Sequence, residues 1–257
     1  MTLERLRTTW PASSVQVDGQ QIEIVRTSGA GHPVVFLPGA HGTAESFYPQ
    51  LLAWGGARQL VSVTYPVSTD GAELADFTVH LADALNIQVF DLVGTSLGGY
   101  IAQWVGVRHP ARVRRMVVGN SFQDPTPQQS AEKLRALEQQ DAASVKADAL
   151  ARVQASPDSE VKAVQLELIG QRQTAELVRS RMLAVQRAVP VPPLGISDAQ
   201  LLLVACDDDP LIKPQVRQAI RERYPRARCA VVDGGGHYPY ILRPDAYNAA
   251  VGAFLEL

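Results

Sequence analysis

The feature of the sequence that most constrains its fold is a strand, a tight turn and a helix that follow one another within residues 89–102. A largely apolar run predicts a buried strand, and from residue 100 onward apolar side chains recur at helical spacing. Between the two lies Gly94-Thr95-Ser96-Leu97-Gly98, which fits the pattern G-x-S-x-G. A direct passage from strand to helix needs a sharp, strained turn, and the glycines leave room for neighbouring backbone. We therefore predict that Ser96 stands above a sheet edge at the positive end of a helix. The alternative is a glycine-rich turn with a bystander serine.

Composition limits the classes of protein and partner. The chain has 257 residues, 46% of them hydrophobic, which is enough for one sizeable core. The formal net charge is −2, and no basic stripe favours nucleic acid or an anionic membrane as a partner. No apolar run approaches the roughly 20 residues of a membrane-spanning helix, and the N-terminus lacks the apolar stretch of a secretory signal. Neither Cys206 nor Cys229 has a C-x-x-C neighbour, so we expect a reduced, cytoplasmic protein.

Strand-like and helix-like patterns alternate along most of the chain. Alternating apolar residues on both sides of Asp18-Gly19 predict a β-hairpin over residues 14–28. Besides the strand before Ser96, strands are predicted at 34–37, 60–65, 113–118, 201–205 and 227–232, and helices at 46–54, 74–85, 214–224 and from 244 onward. This alternation predicts an α/β fold with a mostly parallel sheet that helices cover on both faces.

Residues 124–193 differ from the rest of the chain because they contain no strand-like run. Apolar residues at helical spacing, among many Gln, Arg, Glu and Ala, predict three or four helices. We expect this segment to be a helical cap subdomain over one end of the sheet, inserted within a single domain of residues 1–257. No aromatic residue occurs in it.

Three residue types that together perform nucleophilic catalysis each follow a predicted strand. They are Ser96, a cluster of aspartates at 207–209, and His237. Catalytic groups of such sheets lie in loops at the carboxyl ends of the strands, so these loops are expected to meet. A serine hydroxyl needs an imidazole to take its proton, and a buried carboxylate orients and stabilises that imidazole. We predict Ser96 as the nucleophile and His237, which three glycines precede, as the base.

The oxyanion hole needs two backbone N–H groups that point at the developing charge. One is assigned to Leu97, the residue after the nucleophile. The other must come from the loop after Leu37, where Pro38-Gly39 occupies the place directly behind the strand, so we assign it to Ala40. His41 then lies near the pocket and is only a weak rival to His237 as the base. The predicted candidate substrate contacts are His41, Tyr238 and Phe122.

Five stretches of the chain resemble the maspardin-like branch of the α/β-hydrolases. They are residues 37–44, 64–67, 94–99, 119–122 and 234–240, in order through the predicted core and outside the segment 124–193. The G-x-S-x-G pattern is common to the whole superfamily, whereas the Pro-Gly, Tyr-Pro-Val and Asn-Ser-Phe segments are more particular. The resemblance implies the α/β-hydrolase fold, with its chain order Ser, Asp, His. The resemblance also implies a poorly defined activity, because the protein after which the branch is named is regarded as adaptor-like and its triad is doubtful at the histidine position. This sequence differs from it by having His237 there, which favours an active enzyme.

The identity of the acid stays open among three aspartates. Adjacent aspartates cannot all point at His237. Asp209 directly precedes Pro-Leu-Ile, which resembles the strand-end loop of many serine α/β-hydrolases, so we favour it and place Asp208 second. Asp124 is a rival, because some members of the fold place the acid beyond the preceding strand.

The sequence favours a carboxylesterase-like serine hydrolase that forms an acyl-enzyme on Ser96 with a small or medium ester, a small-molecule substrate. Amide and C–C bond hydrolases use the same triad and remain alternatives, as does a binding or adaptor protein with this fold. A dehalogenase or epoxide hydrolase with an Asp nucleophile is disfavoured, because residue 96 is Ser and residues 124–193 lack aromatic side chains. No cofactor is expected, and no metal either, because the aspartate cluster has no His at ligand spacing. The sequence predicts no oligomeric state.

Overall fold

A computed structural model describes residues 1–257 and contains one eight-stranded sheet in the order β1-β2-β4-β3-β5-β6-β7-β8. The strands are β1 Ser13–Val17, β2 Gln20–Arg26, β3 Ala30–Leu37, β4 Arg58–Val63, β5 Phe90–Thr95, β6 Val113–Gly119, β7 Leu201–Ala205 and β8 Arg228–Val231. Strands β3 to β8 run parallel to one another, and β1 and β2 form an antiparallel hairpin at one edge. The mostly parallel sheet that the sequence predicts is confirmed.

The hairpin turns where the sequence predicts it. Asp18 and Gly19 both have positive φ, 48° and 78°, as a two-residue hairpin turn of the primed type requires. Val17 pairs with Gln20 directly across that turn.

Helices cover both faces of the sheet. They are α1 Leu3–Thr9, α2 Tyr48–Trp54, α3 Gly71–Ala84, α4 Leu97–Arg108, α5 Ala131–Gln139, α6 Ala142–Ala155, α7 Glu160–Arg172, α8 Ala175–Arg187, α9 Pro214–Arg223, α10 Pro239–Leu242 and α11 Pro244–Leu255. The sequence patterns do not indicate α1 or the short α10. No helix combines the length and the apolar character needed to cross a bilayer.

Alternate side chains of the central strands enter two separate buried clusters, one on each face. In β3, Val35 and Leu37 pack with residues of α3, α4 and α9, whereas Val34 and Phe36 pack with residues of α1, α2 and α11. The buried half of β3, from Val34 to Leu37, is apolar at every position because both of its faces are covered.

Four helices, α5 to α8, lie between β6 and β7, and we call them the inserted helices. Three of them, α6, α7 and α8, share a small buried cluster, Ala149, Val153, Ile169 and Val178, and α5 packs on α8. Helix α7 also packs on α10 at the carboxyl edge of the sheet. The count agrees with the predicted three or four helices, and the interpretation of residues 124–193 as a cap subdomain stays a prediction.

Candidate active site

Ser96 occupies a strained turn between β5 and α4. Its φ of 53° and ψ of −122° lie outside the regions that residues with a side chain ordinarily adopt. Three hydrogen bonds hold its backbone there. The Ser96 N–H donates to the carbonyl of Gly119 at 2.9 Å, and the Ser96 carbonyl accepts from Ser121 Oγ at 2.7 Å and from the N–H of Tyr100 at 3.1 Å. Its side chain does not cap the helix, so the hydroxyl remains available.

The two glycines of the motif permit this turn because backbone packs directly against them. A Cβ atom on Gly98 would lie 1.9 Å from the carbonyl oxygen of Leu37. A Cβ on Gly94 would lie 2.2 Å from the carbonyl oxygen of Gly98. Both distances are far below van der Waals contact, so the close approach of β3, β5 and α4 requires glycine at both positions.

His237 and Asp209 form a buried pair. Nδ1 of His237 lies 2.9 Å from Oδ2 and 3.1 Å from Oδ1 of Asp209, and the two residues are only 5% and 6% exposed. Nε2 of the ring bonds to no protein atom, and both His237 and Ser96 line one cavity. No hydrogen bond joins the Ser96 hydroxyl to the ring in this structure, an arrangement that is common when no substrate is bound.

Backbone and imidazole together hold Asp209 as a carboxylate. Burial by itself would raise the pKa of this carboxyl, but the hydrogen bond and charge of His237 oppose it. The N–H groups of Leu211 and Ile212 also donate to Oδ1, at 2.7 Å and 3.1 Å. The pKa of Asp209 is therefore below its ordinary value, and the group is ionised at neutral pH, as the stabiliser of an imidazolium must be.

The rival acids make other contacts. Both carboxylate oxygens of the exposed Asp208 accept the N–H of Gly236 at 3.1 Å, which orients the loop before His237 without touching the ring. Asp124 accepts the N–H of Thr126 within its own turn at 2.9 Å. Of the three candidates, only Asp209 contacts the imidazole.

Asn120 belongs to this site and was not among the predicted site residues. It follows β6 with a φ of 42°, and its Nδ2 donates to Oδ2 of Asp209 and to the carbonyl of Gly236, both at 2.8 Å. It thus joins the acid to the loop that carries the base. The sequence indication was present: a polar residue at the carboxyl end of a buried central strand.

The two backbone N–H groups predicted to form the oxyanion hole donate to no other acceptor in the structure. Leu97 is the first residue of α4, so its N–H has no acceptor within the helix. The N–H of Ala40 has no hydrogen bond, and in its planar peptide unit it points away from the Gly39 carbonyl, which accepts from Gly42 at 2.9 Å. A Cβ on Gly39 would lie 3.3 Å from Ser96 Cβ, so this turn lies directly against the nucleophile.

The cavity above Ser96 has a volume of about 230 Å³ and is lined by loops of the sheet and by α7 and α8. The predicted contacts His41, Phe122 and Tyr238 all line it. No Asp, Glu, Lys or Arg side chain does so. No cluster of three or more His, Cys, Asp or Glu side chains suitable for a metal ion is present.

His41 is neutral and has an unsatisfied nitrogen. Its Nε2 is buried without a hydrogen-bond partner. Burial, and next the positive charges of Arg152 and Arg181, lower the pKa of this imidazole to about 4. At neutral pH the cavity wall therefore carries an uncharged polar atom at this position.

Comparisons with known proteins agree with this fold. The profile of the Alpha/beta hydrolase family matches residues 34–250. The chain is 29% identical to maspardin of Homo sapiens, an alignment that covers 95% of this chain and 83% of maspardin. It is 25% identical to the putative carbamate hydrolase RutD of Caulobacter sp. (strain K31), over 93% of this chain and 97% of that protein.

A solved structure shows the same architecture. The crystal structure of a hydrolase from Pseudomonas aeruginosa PA01 superposes with a TM-score of 0.77 at 20% identity, covering 96% of this chain and 98% of that one. At this identity the superposition speaks for the fold alone. The similarity to maspardin confirms the predicted resemblance to the maspardin-like branch. Because the family profile extends over most of its length, the chain belongs to the alpha/beta hydrolase family.

Proposed function

We propose that this protein is a serine hydrolase that cleaves small or medium, uncharged carboxylic esters through an acyl-enzyme on Ser96. The observation that carries the proposal is the buried His237–Asp209 pair, whose second ring nitrogen is unpaired beside the cavity that Ser96 also lines. The proposed base and acid are therefore in contact, and the proposed nucleophile lines the same cavity.

Each group has a defined part in the proposed reaction. Ser96 Oγ attacks the ester carbonyl carbon, and Nε2 of His237 takes the hydroxyl proton. The N–H groups of Ala40 and Leu97 donate to the oxyanion of the tetrahedral intermediate. Collapse breaks the C–O bond, and His237 returns the proton to the departing alcohol. Water then attacks the acyl-enzyme by the same route and releases the carboxylic acid, while Asp209 stabilises the imidazolium in both halves.

The lining of the cavity supports an uncharged substrate. A carboxylate or ammonium group placed there would lose its hydration without gaining an ion pair, since no side chain of opposite charge lines the wall. Phe122 and the other apolar side chains of the cavity wall offer contact to an acyl chain. His41 and Tyr238 add uncharged side chains to the wall for the rest of the molecule.

Labelling with a fluorophosphonate tests the nucleophile. We expect the folded protein to acquire one adduct, which peptide mass spectrometry locates on Ser96, because the probe reacts only with an activated serine. Heat-denatured protein and the Ser96→Ala variant should remain unlabelled. A folded wild-type protein that stays unlabelled would overturn the proposal.

Charge discrimination is a second expected result. We compare p-nitrophenyl butyrate with the mono-p-nitrophenyl ester of succinate, which carries a free carboxylate. The neutral ester should have the higher kcat/KM by on the order of 100-fold, because an unpaired buried carboxylate costs several kcal/mol. The mixed methyl p-nitrophenyl ester of succinate, which is longer but uncharged, is the control and should recover most of the rate. Equal kcat/KM for all three esters would contradict an uncharged site.

A second candidate is a binding protein of the same fold. The similarity to maspardin across 95% of the chain favours it. Turnover near background on a panel of esters, amides, carbamates and β-diketones would support this candidate. Cleavage of an amide, a carbamate or a C–C bond in preference to esters would instead redirect the proposal to another hydrolase with the same triad.

A further inference from the structure

Arg181 of helix α8 is completely buried and has no acidic partner. Its relative exposure is 0%, and no carboxylate lies within salt-bridge distance of it. Burial lowers the pKa of this guanidinium to about 10, so it stays charged at neutral pH. A buried charge without a counter-ion is costly unless neighbouring dipoles compensate it. The groups around the Arg181 guanidinium must therefore supply such dipoles.

The acceptors of Arg181 are backbone carbonyls and one amide. Nη1 donates to the carbonyl of Gly42 and, at 2.9 Å, to Oε1 of Gln173. Nη2 lies 3.5 Å from the carbonyl of Tyr65, and the guanidinium carbon is 5.5 Å from the centre of the Tyr65 ring. Gln173, which is 4% exposed, follows α7, so both polar side chains come from the region of the inserted helices.

These groups converge on residues 38–42, which we call the oxyanion turn. Gln173 Nε2 donates to the carbonyl of His41 at 2.8 Å, and the Tyr65 hydroxyl donates to that of Pro38 at 3.1 Å. With Arg181 on Gly42, three carbonyls of the turn are held by side chains that do not line the catalytic cavity. A fourth, that of Gly39, is held within the turn by the N–H of Gly42.

The orientation of carbonyls decides the orientation of N–H groups. In a planar trans peptide the two point in opposite directions. The direction of the Ala40 N–H is therefore set by the Gly39 carbonyl, which the Gly42 N–H holds, and the direction of the Gly42 N–H is set by the His41 carbonyl, which Gln173 holds. Arg181 holds the next carbonyl, that of Gly42, and Gln173 itself. The N–H of Ala40 has no hydrogen-bond acceptor there, and neither do those of Gly39 and His41. Fixed dipoles of this kind stabilise a developing negative charge without having to reorganise during the reaction.

We propose that Arg181, acting with Gln173, is a positioning residue that holds the oxyanion turn in its donor conformation. The inference rests on the proposed acyl-enzyme chemistry and deepens it. It makes the inserted helices part of the oxyanion hole as well as a wall of the substrate cavity. Arg181 acts only through the turn and does not touch the substrate.

The test separates transition-state stabilisation from folding and from substrate binding. For Arg181→Met we expect kcat to fall roughly 10- to 100-fold, somewhat less than the loss of a whole oxyanion donor, while KM changes less than about threefold. Affinity for an alkyl trifluoromethyl ketone, which forms a tetrahedral oxyanion adduct with Ser96, should fall by a similar factor. Gln173→Leu should lower both quantities to a smaller extent.

Arg179→Met is the matched control. Arg179 lies on the same helix and also donates to three backbone carbonyls, those of Leu137, Glu138 and Gln140, but these belong to the inserted helices themselves. This variant should keep kcat and ketone affinity within about threefold of wild type. Thermal unfolding of every variant reports whether it is folded. If Arg181→Met does not fold, Arg181→Lys, which keeps the charge but not the forked geometry, and Gln173→Leu carry the test.

The outcomes distinguish this inference from the proposed function. An active wild type whose Arg181 and Gln173 variants keep their kcat and ketone affinity would overturn the positioning role alone. So would losses that Arg179→Met reproduces, because they would reflect general loosening of the inserted helices. A wild type that reacts with neither the fluorophosphonate nor the ketone would overturn the proposed function and this role with it.

Discussion

Replacement of Ser96 by Ala is expected to lower kcat for p-nitrophenyl butyrate by about 10⁵-fold or more, leaving only the modest rate that binding and the oxyanion hole supply. The physical reason is that the proposed acyl-enzyme forms on the Ser96 hydroxyl, which Ala lacks. The fold should survive, because Ser96 does not cap α4 with its side chain and Ala retains the Cβ atom that the turn already accommodates. Initial rates and thermal unfolding are the measurements.

A matched control separates this effect from the loss of any hydroxyl. Ser144, near the start of α6, is half-buried, and its hydroxyl bonds only to Asp141 within the helix cap. Ser144→Ala should leave kcat unchanged. A Ser96→Ala protein that is folded and retains more than about one per cent of the wild-type kcat would be incompatible with an acyl-enzyme on that residue.

Replacement of Asp209 by Asn is expected to lower kcat by about 10³- to 10⁴-fold. The amide removes the negative charge that stabilises the imidazolium, and it can hold His237 in the wrong tautomer. Asp208→Asn is the control, since Asp208 contacts only the backbone N–H of Gly236 in the same loop; its kcat should stay within about tenfold of wild type. A larger loss from Asp208→Asn, or from Asp124→Asn, would transfer the role of the acid to that residue.

The same substitution has an expected effect on stability in acid. The pKa of Asp209 is lower in the folded protein than its ordinary value of about 3.9, so its charge stabilises the fold above that pH. That contribution disappears as the pH falls through the folded-state pKa. Between about pH 5 and pH 2 the melting temperature of wild type should therefore fall more steeply than that of Asp209→Asn. Parallel curves would show that the carboxylate adds nothing to stability.

Features that depend on neighbours along the chain could be predicted from the sequence. The turn at Ser96 is one, because a strand pattern, two obligatory glycines and a helix pattern lie within 14 residues of each other. The hairpin at Asp18-Gly19 is another, because its φ angles follow from the local residue types. The parallel sheet follows from continuous apolar runs, which only strands buried on both faces require.

Features that depend on contacts between residues far apart in the chain could not be predicted from the sequence. Asn120 and Asp209 are 89 residues apart in the chain, and nothing in either local sequence indicates that one amide bonds the other's carboxylate. Arg181 occurs in a polar helical stretch that predicts an exposed side chain, yet its charge is fully buried 139 residues from Gly42. The sequence left the acid open among Asp209, Asp208 and Asp124, and only the contacts of each side chain singled out Asp209.

By itself, the sequence determined the family, the fold and the strained serine at the end of β5, because periodicity and glycine placement act over a few residues. Tertiary structure alone decided which carboxylate meets His237, that Asn120 joins the acid to the base loop, and that the inserted helices reach the oxyanion turn through Arg181 and Gln173. The reason is geometric: these contacts exist only where the carboxyl ends of several strands, far apart in the chain, converge under helices that were inserted between two of them.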